Sequence, residues 1–106
     1  MTMILEERDY RIKAGYVADF LEKYQALGLP VQREHLGEPH GFFVSDVGEL
    51  NHVVSMWRYA DMIERAEKRS RMLTDQRWPG YLASIKGLID VQTIRILIPT
   101  TFSALR

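Results

Sequence analysis

The hydrophobic period of this chain changes twice, and both times a strand-like alternation gives way to a helical spacing. Residues 3–12 alternate loosely, and after the break at residues 13–15 the apolar residues fall at helical intervals. Residues 51–59 alternate again, and from Asp61, a typical helix N-cap residue, the spacing is helical once more. Since each period belongs to one type of secondary structure, the chain is predicted to contain two strand-to-helix units.

The side chains that each helix buries follow from these intervals. The first helix is predicted to run from about Tyr16 and to end at Gly28, since glycine favours a helix end and Pro30 prevents continuation. Its predicted apolar side consists of Val17, Phe20, Leu21, Tyr24 and Leu27. The second helix is predicted to begin at Asp61, with Glu64 in the capping-box position. Its predicted apolar side consists of Met62, Ile63, Ala66 and Leu73.

The remaining segments complete a fold class. Two strand-like runs flank residues 46–50, with Gly48 in the turn, and predict an antiparallel hairpin. A short helix from Trp78 and a last strand before Pro99 follow. The order β-α-β-β-α-(α)-β predicts an α+β, ferredoxin-like split βαβ fold with a four-stranded antiparallel sheet and helices on one face. All 106 residues are expected to form a single domain, 1–106, with a tail from about residue 100.

Composition excludes several classes of function. The 14 basic and 14 acidic residues cancel, which argues against a nucleic-acid partner. The absence of cysteine excludes disulfides and thiolate nucleophiles. No apolar run approaches the roughly 20 residues that span a bilayer, and acidic residues follow closely on the N-terminus. No membrane partner is therefore expected, and the predicted location is cytoplasmic.

Apolar residues also occur on the sheet face that the helices would leave open. An uncovered apolar face of that kind is typical of a partner surface or a ligand site. Two such sheets placed face to face would enclose a barrel-like interior, so we expect a homodimer.

The segment GELNHVVSMWRYADMIERAEKR resembles the NIPSNAP family. The resemblance continues through RDYRIKAGYVADFLEKY and GFFVSDVGELN, and forward to IRILIPT. It implies a dimeric α/β barrel made of two ferredoxin-like halves. Small relatives in that superfamily include cofactor-free monooxygenases and haem-handling proteins, and many members have no known role.

The candidate ligand-binding residues come from two strands. In the strand that ends at Tyr59, alternation places Asn51, Ser55 and Trp57 on one face, which we assign to the barrel interior. Val54 and Met56 are assigned to the helix-packed face. In the first strand, the family pattern implies that Glu6, Arg8 and Tyr10 also face the barrel interior. There Arg8 could hold a carboxylate or enolate oxygen, Tyr10 could donate a hydrogen bond, and Trp57 could stack on a flat molecule.

A structural interpretation accounts for some of the same residues. Glu6 and Arg8 could form an ion pair that serves only stability, with Trp57 filling the core. The histidines, His35, His40 and His52, match no compact metal-ligand spacing, so no metal site is predicted. Neither a phosphate-binding glycine loop nor a serine nucleophile elbow is present, and no cofactor is predicted.

Two functions remain open from the sequence. One is a dimeric barrel that binds a small aromatic or polyketide-like molecule, with or without a cofactor-free oxygenation. The other is a non-catalytic interaction module that presents the helix at residues 61–74 to another protein. Whether the protein is an enzyme is left open.

Overall fold

The computed structural model describes residues 3–106, so the first two residues of the predicted domain lie outside the described part. The strands are β1 (Ile4–Ile12), β2 (Gly41–Val44), β3 (His52–Tyr59) and β4 (Ile89–Leu97). The helices are α1 (Val17–Lys23), α2 (Leu29–Leu36), α3 (Met62–Leu73) and α4 (Trp78–Ser84), and a π-helical turn (Tyr24–Gly28) joins α1 to α2. Among residues 3–106, no helix combines the length and apolar character needed to cross a membrane.

The four strands form one antiparallel sheet in the order β2-β3-β1-β4. The longest strands, β1 and β4, pair along most of their length, and β3 pairs with β1 on the other side. The hairpin between β2 and β3 turns through Gly48, whose φ of 94° lies in the region that favours glycine. This order and the helices between the strands confirm the predicted α+β, ferredoxin-like fold.

The helices cover the sheet face that carries Glu6, Arg8 and Tyr10. The register places Glu6 opposite Trp57 and Arg8 opposite Ser55, so all of these side chains share one face. On that face Trp57 is buried in the same core as residues of α1 and α3. The predicted assignment of this face to a barrel interior is therefore wrong.

The open face carries the side chains that were assigned to the helices. Val54 and Met56 lie opposite Asp9 and Glu7, on the side of the sheet away from the core. Both faces carry apolar residues, so alternation alone does not decide which of them the helices cover. The physical reason for the outcome is size, since the indole of Trp57 offers more apolar area to bury than Val54 or Met56.

The first helix does not end at Gly28. The backbone of Gly28 stays in the right-handed helical region, with φ −89° and ψ −47°. The helical segment ends only at Gly37, where φ is 89°. Between α1 and α2 the turn widens, and the Leu29 N–H donates to the carbonyl of Tyr24, five residues earlier. This widening places Gly28 on the buried side and leaves Leu27 exposed, contrary to the prediction.

The glycine at position 28 serves close packing instead of a helix stop. A Cβ atom added there would lie 2.8 Å from two ring atoms of Tyr81 and 3.0 Å from the Tyr24 ring. Glycine is therefore the residue that lets the aromatic ring of α4 approach the backbone between α1 and α2. The sequence does not distinguish a glycine that ends a helix from a glycine that allows close packing, so the predicted helix end at Gly28 is wrong.

The apolar side predicted for α3 is also wrong. Met72 is 0% exposed, whereas Ile63 is 70% exposed, and Met62 and Leu73 also face outward. The inward side of α3 carries Arg65 together with Met72. The predicted N-cap is confirmed, since Asp61 Oδ1 accepts a hydrogen bond of 2.8 Å from the Glu64 N–H.

We predict that Gly28→Ala lowers the free energy of unfolding by about 1–3 kcal/mol, the usual cost of overpacking a well-packed core. The matched control is Gly80→Ala in α4, where an added Cβ meets no atom within 4 Å. That substitution is expected to leave stability unchanged or raise it by up to about 1 kcal/mol, because alanine favours a helix over glycine. Urea denaturation followed by circular dichroism measures both. Equal effects of the two substitutions would contradict the close-packing role of Gly28.

Candidate functional site

A cavity of about 160 Å³ lies between the helix-covered face of the sheet and the helices. Much of its wall is aromatic and consists of Tyr10, Phe20, Tyr24, Phe42, Trp78 and Tyr81. The rings contact one another: the Tyr24 and Phe42 centroids are 4.6 Å apart, and those of Trp78 and Tyr81 are 5.0 Å apart. Rings held in this way form a rigid apolar wall, because each is packed against its neighbour.

One wall of the cavity carries a buried guanidinium. Arg8 projects from the centre of β1, and its Nε donates a 2.8 Å hydrogen bond to the hydroxyl of Tyr10. Its Nη1 lies 3.3 Å from Oε1 of Glu6. Burial by itself lowers the pKa of Arg8, but Tyr10 and Glu6 outweigh that effect and the pKa is raised above its ordinary value. The group is therefore a fixed positive charge.

The carboxylate of Glu6 holds a helix as well as a strand. Its side chain is 0% exposed, and its second oxygen, Oε2, pairs with Nε of Arg65 on α3. Both oxygens of this buried carboxylate are thus occupied by guanidinium groups. A buried carboxylate without such partners would be strongly unfavourable.

A second arginine of α3 lines the cavity. Arg69 follows Arg65 by four residues, so the two lie on the same side of the helix. Burial and the nearby positive charge of Arg8 lower the pKa of Arg69. Even so, a guanidinium stays protonated in proteins, and Arg69 adds a second positive charge to the wall.

The polar atoms that remain are neutral. Burial raises the pKa of Tyr24 and of Tyr81 well above the ordinary tyrosine value, so both phenols stay protonated. The Tyr24 hydroxyl donates to Oε1 of Gln32, which leaves the Gln32 amide N–H groups as donors. Ser55 Oγ accepts a 3.0 Å hydrogen bond from the Trp57 indole. Among the described lining residues there is no aspartate, glutamate or histidine.

Three of the six predicted site residues line this cavity: Arg8, Tyr10 and Ser55. Glu6 and Trp57 do not line the cavity, since Glu6 is paired with Arg8 and Arg65 and Trp57 is buried in the core. Asn51 lies away from the cavity, in the turn before β3. Its φ is 68°, a conformation that asparagine tolerates, and its carbonyl accepts a 2.8 Å hydrogen bond from the Ile12 N–H. The role of all six in binding a ligand stays a prediction.

Several lining residues were not predicted from the sequence, among them Arg69, Gln32 and Gln92. Arg65, Arg69 and Met72 have the spacing of one side of a helix. The sequence nevertheless favours the side of Met62, Ile63 and Leu73 as the buried one, because all three of those residues are hydrophobic. A buried glutamate in β1 needs a positively charged partner, but the sequence already offered Arg8 in the same strand and so gave no reason to turn arginines of α3 inward.

The sequence pattern that defines the NIPSNAP family matches residues 5–104, which is almost the whole chain. The chain belongs to the NIPSNAP family. The protein NipSnap of Drosophila melanogaster is 30% identical over 101 residues, covering 94% of this chain and 36% of that protein. The chain spans well under half the length of the NipSnap relatives from worm, fly, fish and slime mould.

Solved structures share the fold over nearly its full length. A NIPSNAP family protein from Agrobacterium tumefaciens is 42% identical, with a TM-score of 0.93 and coverage of 98% of this chain and 99% of that one. A Caulobacter crescentus protein, proposed to be an antibiotic biosynthesis monooxygenase, is 14% identical, with a TM-score of 0.66 and coverage of 91% and 88%. At that identity the likeness shows the ferredoxin-like fold alone.

A second cluster of ligand-type side chains lies outside the cavity of this NIPSNAP domain. Single ligand atoms of Glu34, His35 and Asp75 lie within 4.8 Å of one another. The Arg77 guanidinium already pairs with both carboxylates, and its Nη2 is 2.8 Å from Asp75 Oδ2. These pairs, with His35 at 2.9 Å from Asp75, link α2 to the turn before α4. Because both carboxylates already pair with a guanidinium, we interpret the cluster as a packing contact.

We predict that Glu6→Gln lowers the free energy of unfolding by about 3–5 kcal/mol, because it removes the negative charge that pairs with the buried guanidinium of Arg8 and the partly buried one of Arg65. The control is Glu7→Gln on the opposite face, where the partner Arg95 is exposed and the expected loss is under about 1 kcal/mol. Thermal or urea unfolding at pH 7 measures both variants. Similar losses at the two neighbouring positions would contradict the structural weight given to Glu6.

Proposed function

We propose that this NIPSNAP protein binds a small, flat organic molecule in the cavity between the sheet and the helices. The observation that carries the proposal is the composition of the wall: packed aromatic rings with two guanidinium groups set among them. Apolar walls with a few convergent polar groups are the usual form of a small-molecule site. The position differs from the barrel interior expected from the sequence, and only the ligand class is retained.

The size of the cavity restricts the ligand. An apolar protein cavity of about 150 Å³ accommodates benzene, so this one suits a molecule of about six to nine non-hydrogen atoms. The aromatic side chains that form much of the wall favour a planar ring over a branched aliphatic group, because flat rings pack closely against one another. A large polyketide would need the cavity to open.

The lining supports binding more directly than it supports catalysis. Proton abstraction needs a base of suitable pKa within reach of the substrate. The described lining offers no carboxylate or imidazole, and its buried phenols have raised pKa values. A cofactor-free oxygenation in this cavity would therefore require a substrate that ionises readily, with the arginines stabilising the resulting enolate or phenolate. Such chemistry stays a secondary proposal, prompted by the fold shared with proposed monooxygenases.

We also propose that two copies associate through their open sheet faces. Phe43, Val91 and Leu97 are exposed apolar side chains on that face. Both carboxylates that β1 places on that face are paired within the chain, since Glu7 contacts Arg95 and Asp9 Oδ1 lies 2.6 Å from His52 Nδ1. Paired carboxylates can be buried against a second copy of the chain without becoming isolated charges, and the exposed Arg11 and Arg58 lie toward the two ends of this face, where they can keep contact with water.

A protein-interaction module is the second candidate function. The observation that favours it is the outward apolar side of α3, formed by Met62, Ile63 and Leu73. Exposed apolar side chains grouped on one helix are typical of a helix that contacts another protein. None of these three residues lines the cavity. Filling the cavity should therefore abolish small-molecule binding and leave contact with another protein unchanged.

The first test is native mass spectrometry of protein purified gently from the organism that makes it. The wild type is predicted to carry a small organic adduct that denaturation releases. Leu82→Trp, at a half-exposed position on the cavity edge, is predicted to lose the adduct because the indole narrows the space. The control is Leu73→Trp, an exposed leucine of α3 away from the cavity, which should keep it.

The outcomes separate the two candidate functions. An adduct held by the wild type and the control but not by Leu82→Trp supports the cavity. A wild type that carries no adduct, and whose melting temperature does not respond to a panel of small aromatic compounds, would favour the interaction module. Adduct retention by both tryptophan variants would place the ligand elsewhere.

The open face has its own prediction. The wild type is expected to have the mass of a dimer by size-exclusion chromatography with light scattering, and Val54→Lys the mass of a monomer. A lysine at this central, half-buried position would bring two positive charges together across the two-fold axis. The control is Val47→Lys in the exposed hairpin turn, which should remain dimeric. A monomeric wild type would refute the assembly.

A further inference from the structure

We propose that the ligand of this cavity is an organic monocarboxylate whose carboxylate is held by Arg8 and Arg69. The inference rests on the proposed function and narrows it from small flat molecules in general to small flat anions. It is carried by an imbalance of charge inside the molecule, which a neutral ligand would leave uncorrected.

Two guanidinium groups contact the Glu6 carboxylate, and a third, that of Arg69, lies nearby without a carboxylate partner. Glu6 gives one oxygen to Arg8 and the other to Arg65, so its hydrogen-bonding capacity toward arginine is taken up on both sides. Within residues 3–106, no carboxylate lies within 4.0 Å of the Arg69 guanidinium, and that group makes no hydrogen bond to the protein. Buried or partly buried charges are normally paired. The cluster therefore has an excess of positive charge beside an empty volume.

Geometry selects Arg8 and Arg69 as the anion-binding pair. Both line the cavity, whereas Arg65 does not, being turned toward Glu6. Arg8 uses Nε and Nη1 for Tyr10 and Glu6, so its Nη2 group is left to donate. The guanidinium of Arg69 has all of its N–H groups to offer. A planar fork of N–H donors matches the two oxygens of a carboxylate.

The rest of the wall argues for a single carboxylate on a ring. Gln32 presents amide N–H groups, and the described lining has no acidic side chain that would attract a cation or repel an anion. Beyond the arginines the surface is aromatic, and the volume admits a benzoate-sized molecule and little more. A phosphate ion would satisfy the charge but would leave the aromatic surface without an apolar partner, and its stronger hydration would have to be removed.

The test measures binding of benzoate and of its neutral analogue benzamide to the full chain by isothermal titration calorimetry at constant ionic strength. Benzoate is expected to bind at least about tenfold more tightly than benzamide, because only the carboxylate forms charge-assisted hydrogen bonds. Arg69→Met keeps the length and apolar stem of the side chain and is expected to weaken benzoate by at least about tenfold while changing benzamide by less than about threefold.

Two further variants keep the result interpretable. Arg71→Met removes an exposed arginine of the same helix and should leave benzoate binding unchanged. Arg69→Lys retains the charge without the planar fork and should restore part of the lost affinity. It also provides a second measurement should Arg69→Met not fold, which circular dichroism would reveal.

Each outcome bears on one claim. Benzoate and benzamide binding equally, with Arg69→Met without effect, would overturn the carboxylate assignment and leave the small-molecule cavity intact. Inorganic phosphate binding more tightly than benzoate would also overturn it. If neither benzoate nor benzamide binds, and Leu82→Trp gives the same native mass spectrum as the wild type, the proposed function itself fails.

Discussion

The buried carboxylate of Glu6 is the interaction on which the arrangement of this molecule depends. It joins β1 to α3 through Arg65, 59 residues away along the chain, and it neutralises Arg8 beside it. Taking these charges out of water is costly, and only their mutual pairing makes the burial tolerable. The ion pair between Glu6 and Arg65 fixes the rotation of α3 about its own axis. That rotation brings Arg69 to the cavity and turns Ile63 and Leu73 toward solvent.

The elements that sequence reasoning predicted correctly are those governed by local interactions. The order of strands and helices, the turn at Gly48 and the cap at Asp61 depend on residues close to one another in the chain. The errors all involve distant partners. The helix continues through Gly28 because Tyr81 packs on it, and α3 rotates because Glu6 needs Arg65. The contact of Gly28 with Tyr81 leaves no periodic signal, and the helical spacing of Arg65, Arg69 and Met72 does not show that Arg65 pairs with Glu6.

The candidate site also has a part that the sequence predicted, on the strands, and a part that it did not, on the helices. Alternation along β1 and β3 correctly grouped Arg8, Tyr10 and Ser55 on one face, since strand geometry alone determines which side chains share a face. Alternation does not determine whether helices or a second sheet covers that face. Arg69 and Gln32 reach the cavity from helices, so their part in it depends on how those helices are rotated and shifted against the sheet. Half of the predicted residues therefore line the cavity, and the predicted set missed the second positive charge of its wall.

The two faces of the sheet differ in where their unpaired charges lie, at the ends of the open face and beside the cavity on the helix-covered face, and this difference separates the two proposals made for them. On the open face each carboxylate of β1 has a partner, Glu7 with Arg95 and Asp9 with His52. The exposed Arg11 and Arg58 lie toward the two ends of that face, so its centre suits burial against another apolar surface. On the helix-covered face the charges around Glu6 do not cancel, and the uncancelled charge borders a cavity. Both patterns arise from one strand, β1, whose alternate residues point to opposite sides. Assembly and ligand binding can therefore be altered separately, because no side chain proposed for one lies on the face proposed for the other.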